Sequence, residues 1–360
     1  MNKNLKKLFI IFFAAVFFML VSCAAAVIFI DPFFHFHAPL RNFPYEVDNQ
    51  IYQNPGMAMH LDYNAFITGS SMTVNFDTDD FSEDFGKTIK LSYDGAYPAN
   101  LSAIMDFVFD KNSFSKKNNQ IHTAFICLDI ISLTADPYTT KYPLDDYLYG
   151  KKDSAVFTYL LNKEVIIDYI LKPILKRKPT DLSEVYSMYW LTDDLTGKDY
   201  VLKGYEAPEK SSAPADKNIF LDKTRENLEK NLIPYIKANP DTEFIFFFPA
   251  YSILFWNEIL AEGTLDARLE QTRLIFDTLL EYDNVRIFYF SDAEEMITDL
   301  DLYTDYTHHV KSVSSYEAAC FSSSEHEVFK ENMEIILKNM EKIVRSFDFE
   351  NLSEQNDNDS

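Results

Sequence analysis

The sequence predicts an α/β protein, a three-layer α/β/α sandwich around a mainly parallel sheet, with one transmembrane helix at its amino end. Three observations support this fold class. Short apolar runs alternate with helix-length segments along most of the 360 residues, and this alternation favours a parallel sheet covered on both faces. Hydrophobic residues make up 47% of the chain and charged residues 25%, which is typical of a globular protein. The first thirty residues are far more apolar than the rest.

Residues 1–30 are predicted to anchor the chain in a membrane. Lys3, Lys6 and Lys7 precede the uncharged run 8–30, whose 23 residues would span roughly 35 Å as a helix, enough for a bilayer core. Lysines before the run and an acidic remainder after it place residues 31–360 outside the cytoplasmic membrane, with a single pass.

A second interpretation of the anchor stays open. The segment Leu20-Val21-Ser22-Cys23 resembles a bacterial lipobox, which would make the mature chain a lipoprotein anchored at Cys23. The apolar run continues beyond Cys23 to Asp31-Pro32, a natural helix stop, and this favours the uncleaved helix.

The rest of the chain divides into four further parts. Residues 31–60 hold four prolines and are expected to form an irregular connecting segment. Residues 61–347 are expected to form the α/β domain, in which a Tyr-, Lys- and Asp-rich stretch at about 136–216 is expected to be an insertion or cap. The acidic tail 348–360 is expected to be disordered.

The strands and helices of the domain follow from short apolar runs and helical spacing. The predicted strands are Ala65–Thr68, Thr88–Ser92, Thr123–Leu128, Phe244–Phe248 and Val285–Phe290. The predicted helices are Pro98–Phe109, Ala155–Leu171, Asn218–Ile236, Ile253–Leu280 and Glu327–Phe347.

Charge and cysteine content exclude several classes of function. A formal charge of -23 disfavours binding to nucleic acid. Three cysteines, Cys23, Cys127 and Cys320, cannot build a disulfide framework or a cysteine-based metal site. No metal and no organic cofactor is expected.

Two short segments carry the chemistry. In the first, an apolar strand runs into Gly69-Ser70-Ser71, where glycine permits a sharp turn and a serine projects from the carboxyl edge of the sheet, where α/β proteins bind ligands. An ordinary strand-to-helix turn with serine as the helix cap would have the same sequence.

In the second segment, Asp305 and His308 are three residues apart, so on a helical turn the carboxylate can accept the imidazole N–H. These are the second and third roles of a serine triad. The alternatives are a surface loop with an incidental histidine pair and a pair of metal ligands, although the other histidines are scattered.

Together these motifs resemble the SGNH/GDSL family of serine esterases and acyltransferases. The family nucleophile lies in a Gly-x-Ser turn after the first strand, which corresponds to Ser71, with Ser70 as the intervening residue. Its Asp-x-x-His segment corresponds to Asp305 and His308. The resemblance implies an SGNH-like, flavodoxin-like sheet over roughly residues 60–330.

The oxyanion hole follows the family less closely. The resemblance implies backbone N–H donors from Ser71 and from Gly95, which follows the second strand. The family usually has an asparagine after the third strand, where this chain has Asp129. An ionised aspartate only accepts hydrogen bonds, so either the oxyanion hole rests on the two backbone N–H groups alone or Asp129 serves structure or substrate alignment. Asp129 and Ser70 are the expected pocket residues.

With its anchor, the chain is similar to the membrane-anchored envelope branch of this family, which takes part in D-alanyl transfer to teichoic acid and in alginate O-acetylation. The resemblance implies an extracytoplasmic esterase or O-acyltransferase that acts on a cell-envelope polysaccharide or teichoic-acid-like polymer, with a membrane-bound O-acyltransferase as partner. The alternative is a catalytically silent, SGNH-like glycan-binding or scaffold protein.

Overall fold

The computed structural model describes residues 3–109, 120–144, 148–149, 156–177, 182, 185–186 and 195–352. The chain forms two compact units. Unit 1 comprises residues 1–61, 110–118 and 142–182, and unit 2 comprises residues 62–109, 119–141 and 183–360. Most of the tail that the sequence predicts to be disordered lies outside the described residues.

Five strands and fifteen α-helices are defined in the described residues. The strands are β1 Ala65–Thr68, β2 Thr88–Lys90, β3 Thr123–Cys127, β4 Glu243–Phe248 and β5 Val285–Tyr289. The helices are α1 Lys3–Ile30, α2 Gln50–His60, α3 Ser82–Phe85, α4 Pro98–Phe109, α5 Val156–Leu160, α6 Lys163–Ile166, α7 Lys172–Lys176, α8 Lys198–Gly204, α9 Leu221–Asn227, α10 Ile233–Ala238, α11 Ile253–Ala261, α12 Leu265–Leu279, α13 Glu294–Ile297, α14 Lys311–Cys320 and α15 Met333–Ser346. Short 3₁₀ turns span Ser71–Thr73, Thr78–Phe81, Ser132–Thr134 and Leu300–Leu302, and π-helical turns span Ile167–Leu171 and Leu228–Leu232.

The five strands of unit 2 form one parallel sheet in the order β2-β1-β3-β4-β5. This is the flavodoxin-like order, whose topological switch point lies between β1 and β3. The predicted fold class, a parallel sheet with an apolar amino-terminal helix, is confirmed. In such sheets ligands bind outside the carboxyl ends of the strands near the switch point, and Ser71 follows β1 there.

Aromatic side chains fill the core on both faces of the sheet, because successive strand residues point to opposite sides. One face carries Phe66, Phe244, Phe246, Phe248 and Tyr289, which pack with Phe109 of α4 and Phe276 of α12. The other face carries Phe125, Phe247 and Phe288, which surround Phe321 at the end of α14. The sheet therefore forms the middle layer of three.

The long helix predicted over Ile253–Leu280 is wrong, because the structure has two helices there. α11 ends at Ala261 and α12 begins at Leu265. Gly263 between them has φ +74°, a left-handed conformation that glycine adopts without strain and that stops a helix.

The helix predicted over Ala155–Leu171 also differs from the observed one. α5 ends at Leu160, and Asn162 begins α6 by accepting the N–H of Glu164 at its side chain. The helix then continues through the π-helical turn Ile167–Leu171 and past Pro173 to Lys176. Proline lacks the N–H of the α-helical ladder, and the helix passes it directly after this local change in hydrogen-bonding pattern. Residues 142–182 of the predicted insertion belong to unit 1, and 183–216 belong to unit 2.

Unit 1 is built around the carboxyl end of α1. Asp31 is fully buried, and its carboxylate accepts the N–H groups of His35, Phe36 and His37 and the hydroxyl of Tyr159. A buried carboxylate needs this number of donors to offset its lost hydration. The exit from α1 is therefore held by hydrogen bonds.

The segment expected to be irregular contains α2, although Pro55 lies inside it. Asn49 caps the helix by accepting the N–H of Tyr52. Pro55 has no N–H to donate to the carbonyl of Ile51, four residues earlier. The hydroxyl of Tyr149 donates to this carbonyl instead, at 2.9 Å. This substitute donor explains why the helix continues.

Candidate active site

The turn after β1 is fixed by a close approach of two backbones. A Cβ atom at Gly69 would lie 2.5 Å from Cys127 Cβ and 2.7 Å from Thr73 Cγ2, closer than real side chains come. Only glycine fits between β1 and β3 at this point. Ser70 then caps the 3₁₀ turn, its Oγ accepting the N–H of Met72, and Ser71 is the first residue of that turn.

The structure brings Ser71, His308 and Asp305 together across 237 residues of sequence. Ser71 Oγ lies 2.7 Å from His308 Nε2, and His308 Nδ1 lies 2.8 Å from Asp305 Oδ2. A carboxylate beside Nδ1 keeps the proton on that nitrogen, so Nε2 accepts the hydroxyl proton of Ser71. This is the hydrogen-bond order of a serine–histidine–aspartate triad.

Asp305 also shapes the loop that carries His308. Its Oδ1 accepts the N–H groups of Thr307 and His308, both at 2.7 Å. Burial raises the pKa of Asp305, but the hydrogen bonds and charge of His308, with the bond from Thr307, outweigh burial and leave the pKa below its ordinary value. The carboxylate is therefore ionised at neutral pH.

Hydrogen bonds from other elements brace the same loop. Tyr303 and His309 form an isolated antiparallel bridge that closes it. The hydroxyl of Tyr303 donates to the backbone carbonyl of Ala250. The hydroxyl of Ser252 donates to the backbone carbonyl of Tyr306. Asn75 Nδ2 donates to the carbonyl of His309. The loop is thereby held by the segments that follow β1 and β4.

A buried acid–base pair includes His309, the residue that follows His308. His309 and Glu317 of α14 have side chains 1% and 0% exposed, with Nε2 and Oε2 3.8 Å apart, and neither atom has a hydrogen-bond partner within the described part of the chain. Burial lowers the pKa of His309 to about 4 and raises that of Glu317 to about 8. Glu317 accepts the N–H of Ala250 through its other oxygen.

Gly95 lies in a turn that a hydrogen bond joins to the Gly69 segment. The N–H of Tyr93 donates to the carbonyl of Gly69 at 3.0 Å, and the N–H of Ala96 donates back to Tyr93. Gly95 occupies the third position of this turn with φ +62°, which favours glycine. The turn after β2 thus lies beside the start of the Ser71 turn.

Asp129 uses its carboxylate within its own turn. Oδ1 accepts the N–H groups of Ile131 and Ser132. Burial raises the pKa of Asp129, partly offset by these bonds, by the nearby charge of Arg268 and by a hydrogen bond from Tyr251. The side chain therefore orders the turn after β3.

A cleft of about 590 Å³ opens beside Asp305 and His308. Its opposite wall is α8 with its flanking residues, which contribute Leu195, Tyr200, Val201, Lys203, Gly204 and Tyr205. The rings of Tyr205 and Tyr306 lie 6.1 Å apart. Aromatic faces with a single lysine suit a sugar or acyl chain with polar substituents.

The sequence pattern does not indicate this wall, which lies in the stretch expected to be an insertion or cap. Glycines at both ends of α8, Gly197 and Gly204, were the signal that could have marked a short helix. The brace residues Asn75, Ser252 and Tyr303 carry no motif, so only the folded chain identifies them.

No protein-family model matches the chain, and no curated protein matches it. The chain is similar to a solved structure of a protein from Streptococcus pneumonia whose description names platelet activating factor. The two share 8% identity with a TM-score of 0.41, over 76% of this chain and 90% of the other.

Proposed function

We propose that this chain is a membrane-anchored, extracytoplasmic serine esterase or O-acyltransferase of the SGNH/GDSL type. The observation that carries the proposal is the chain of two hydrogen bonds from Ser71 through His308 to Asp305. If Ser71 only served the turn after β1, its Oγ would not require the imidazole Nε2 of His308 at 2.7 Å. An incidental surface loop would also not require the hydrogen bonds from Asn75, Ser252 and Tyr303 that hold this loop in place.

In the proposed reaction, Ser71 Oγ attacks the carbonyl carbon of an acyl ester and gives its proton to His308 Nε2. The backbone N–H groups of Ser71 and Gly95 hold the oxyanion, and Asp305 stabilises the imidazolium. When the tetrahedral intermediate collapses, His308 protonates the leaving alcohol and the acyl group remains on Ser71. His308 then deprotonates a water for hydrolysis, or a hydroxyl of the acceptor for transfer.

Asp129 makes the oxyanion hole poorer in this proposal, because a carboxylate that accepts two backbone N–H groups offers no donor to the substrate. One missing oxyanion donor typically costs about 10²- to 10³-fold in rate. We therefore expect slow turnover of simple esters, and the energy of binding along the cleft would have to supply the rest.

The envelope setting is supported by α1 and by the resemblance of the two motifs. α1 is long and apolar enough to cross a membrane, the one such helix among the described residues. It is continuous through Cys23 to Ile30, which favours the uncleaved anchor over the lipoprotein. The acyl acceptor would be a cell-envelope polysaccharide or teichoic-acid-like polymer, and a membrane-bound O-acyltransferase would supply acyl groups.

A fluorophosphonate probe tests the proposal on the full-length protein in detergent. We expect labelling of the wild type, its loss in Ser71→Ala and a large fall in His308→Ala. Ser315→Ala and His326→Ala are matched controls in unit 2 and should label like the wild type. A folded wild type without labelling would overturn the enzyme and favour the silent scaffold. Intact mass of the membrane-extracted chain separates the anchor from the Cys23 lipoprotein.

A further inference from the structure

The helical segment 156–177 of unit 1 exposes an apolar surface that the proposed esterase chemistry does not explain. Six large side chains on it are exposed: Phe157, Leu161, Ile167, Leu171, Ile174 and Leu175. We call these six residues the apolar stripe. The last four follow the spacing i, i+4, i+7 and i+8, which puts them on one side of a helix. Leu175 is 81% exposed and Phe157 is 65% exposed.

The opposite side of the same segment packs against α1. Tyr159, Leu160, Val165 and Ile170 form a buried cluster with Val27, and Ala24 and Ile30 of α1 contact this cluster. The segment is therefore fixed on the last two turns of α1. The hydroxyl of Tyr159 donates to the buried carboxylate of Asp31, directly after α1, and strengthens the attachment.

This attachment sets the depth of the stripe. Ala24 lies six residues before Ile30, about 9 Å along a helix axis. If α1 spans the bilayer and emerges at Ile30, elements that contact Ala24 and Val27 lie within about 10 Å of the outer boundary of the hydrocarbon core. Interfacial helices bury their apolar face about 5–10 Å at this boundary.

Charges on the segment fit the same location. Residues 163–177 contain four basic and two acidic side chains in a chain of net charge -23. Lys172, Lys176 and Arg177 are exposed near Leu171, Ile174 and Leu175. Lys172 and Lys176 form exposed ion pairs with Asp168 and Glu46, which contribute little in water. Such long basic side chains can reach the headgroups while their stems cover apolar surface.

We propose that segment 156–177 lies in the outer leaflet of the membrane interface, with the apolar stripe inserted among the acyl chains. The proposed occupant of this surface is lipid. The chain then has two membrane contacts, a spanning helix and an interfacial helix fixed to its outer end. This inference rests on the proposed membrane anchor but not on the esterase chemistry.

The test uses the full chain in nanodiscs of phosphatidylethanolamine and phosphatidylglycerol. On a Cys23→Ala background, where Cys127 and Cys320 are buried, Leu175→Cys and Ile167→Cys each carry an environment-sensitive NBD label. Phe17→Cys in the middle of α1 is the spanning control, and the exposed Lys237→Cys of unit 2 is the aqueous control. Quenching lipids carry a nitroxide either near the headgroup or near the bilayer centre.

We expect blue-shifted emission at Leu175→Cys and Ile167→Cys and preferential quenching by the shallow nitroxide. Phe17→Cys should be quenched by the deep nitroxide and Lys237→Cys by neither. Emission at the stripe like that of Lys237→Cys, with Phe17→Cys still quenched, would overturn the interfacial helix and leave the anchor intact. A blue shift without quenching would place the stripe against protein and would also overturn it. An unquenched Phe17→Cys would overturn the anchor and this inference with it.

Discussion

Replacing Asp305 by asparagine separates the two roles of this side chain. An asparagine Oδ1 can still accept the N–H groups of Thr307 and His308, so the loop keeps both bonds that now measure 2.7 Å. Its Nδ2, however, is a donor and faces His308 Nδ1. The imidazole must then carry its proton on Nε2, where it can no longer accept the proton of Ser71.

We therefore expect Asp305→Asn to fold normally and to lose activity. In the serine-protease triad, the same change of tautomer lowers the catalytic rate about 10⁴-fold, which is equivalent to about 5 kcal/mol of activation free energy. The assay is the second-order rate constant of fluorophosphonate labelling, measured with thermal melting of the same samples.

The matched control for this variant is Asp301→Asn. Asp301 lies four residues earlier, is exposed, and accepts the N–H of Lys198 with its side chain, so its amide can keep that bond. A labelling rate for Asp305→Asn within about tenfold of the control would refute the tautomer argument, since about 10³-fold or more is expected from a lost triad aspartate. Equal melting temperatures make that comparison decisive.

Three further predictions concern stability and are checked by thermal or denaturant unfolding. Burial raises the pKa of Glu317 from 4.5 to about 8, so the folded protein holds this proton more tightly than the unfolded chain does. The resulting stabilisation is fully present below about pH 4.5 and is lost as the pH rises to about 8. Glu317→Gln keeps an acceptor for the Ala250 N–H but does not titrate. Its melting temperature should therefore rise relative to that of the wild type as the pH increases from about 5 to about 8.5, and a difference in melting temperature that does not change with pH would contradict the shifted pKa. Gly69→Ala should lower the free energy of unfolding by about 1–3 kcal/mol through overpacking, whereas Gly204→Ala, with no atom within 4 Å of its new Cβ, should not. Tyr159→Phe removes a buried hydroxyl that bonds a carboxylate and a backbone N–H and should cost about 1–3 kcal/mol; an unchanged midpoint would mean that water replaces the hydroxyl.

The sheet could be predicted from the sequence because its strands are buried on both faces. A run such as Phe244–Phe248 has no polar alternation and no helical length, which leaves a parallel, covered strand as the best interpretation. Helix boundaries are harder to predict, since they depend on the conformation of single residues, which the hydrophobic pattern does not encode. Gly263 breaks one predicted helix through its positive φ, and Pro173 does not end another, which passes it after a π-helical turn.

The residues of the candidate site could also be named from the sequence, but the cleft could not. Asp305 and His308 are local neighbours, so their spacing alone brings them together. Tyr200 and Tyr205 lie about one hundred residues before His308, and nothing in their own spacing indicates which surface they face. Their place in the cleft follows from the packing of α8, which is a tertiary property.

The distance between Ser71 and His308 depends on the sheet rather than on either motif. β1 positions Ser71 through the Gly69 turn, and the exit of β4 holds the histidine loop through Ala250 and Ser252. β3 pairs with both strands in parallel register, so both halves of the site are positioned against the same edge. Catalytic groups must be held to within about 0.5 Å of their working geometry, and a loop closed only by the Asp-x-x-His turn could not achieve this across 237 residues. The two short motifs therefore become one candidate site through β3, which contributes none of its three hydrogen-bonded side chains.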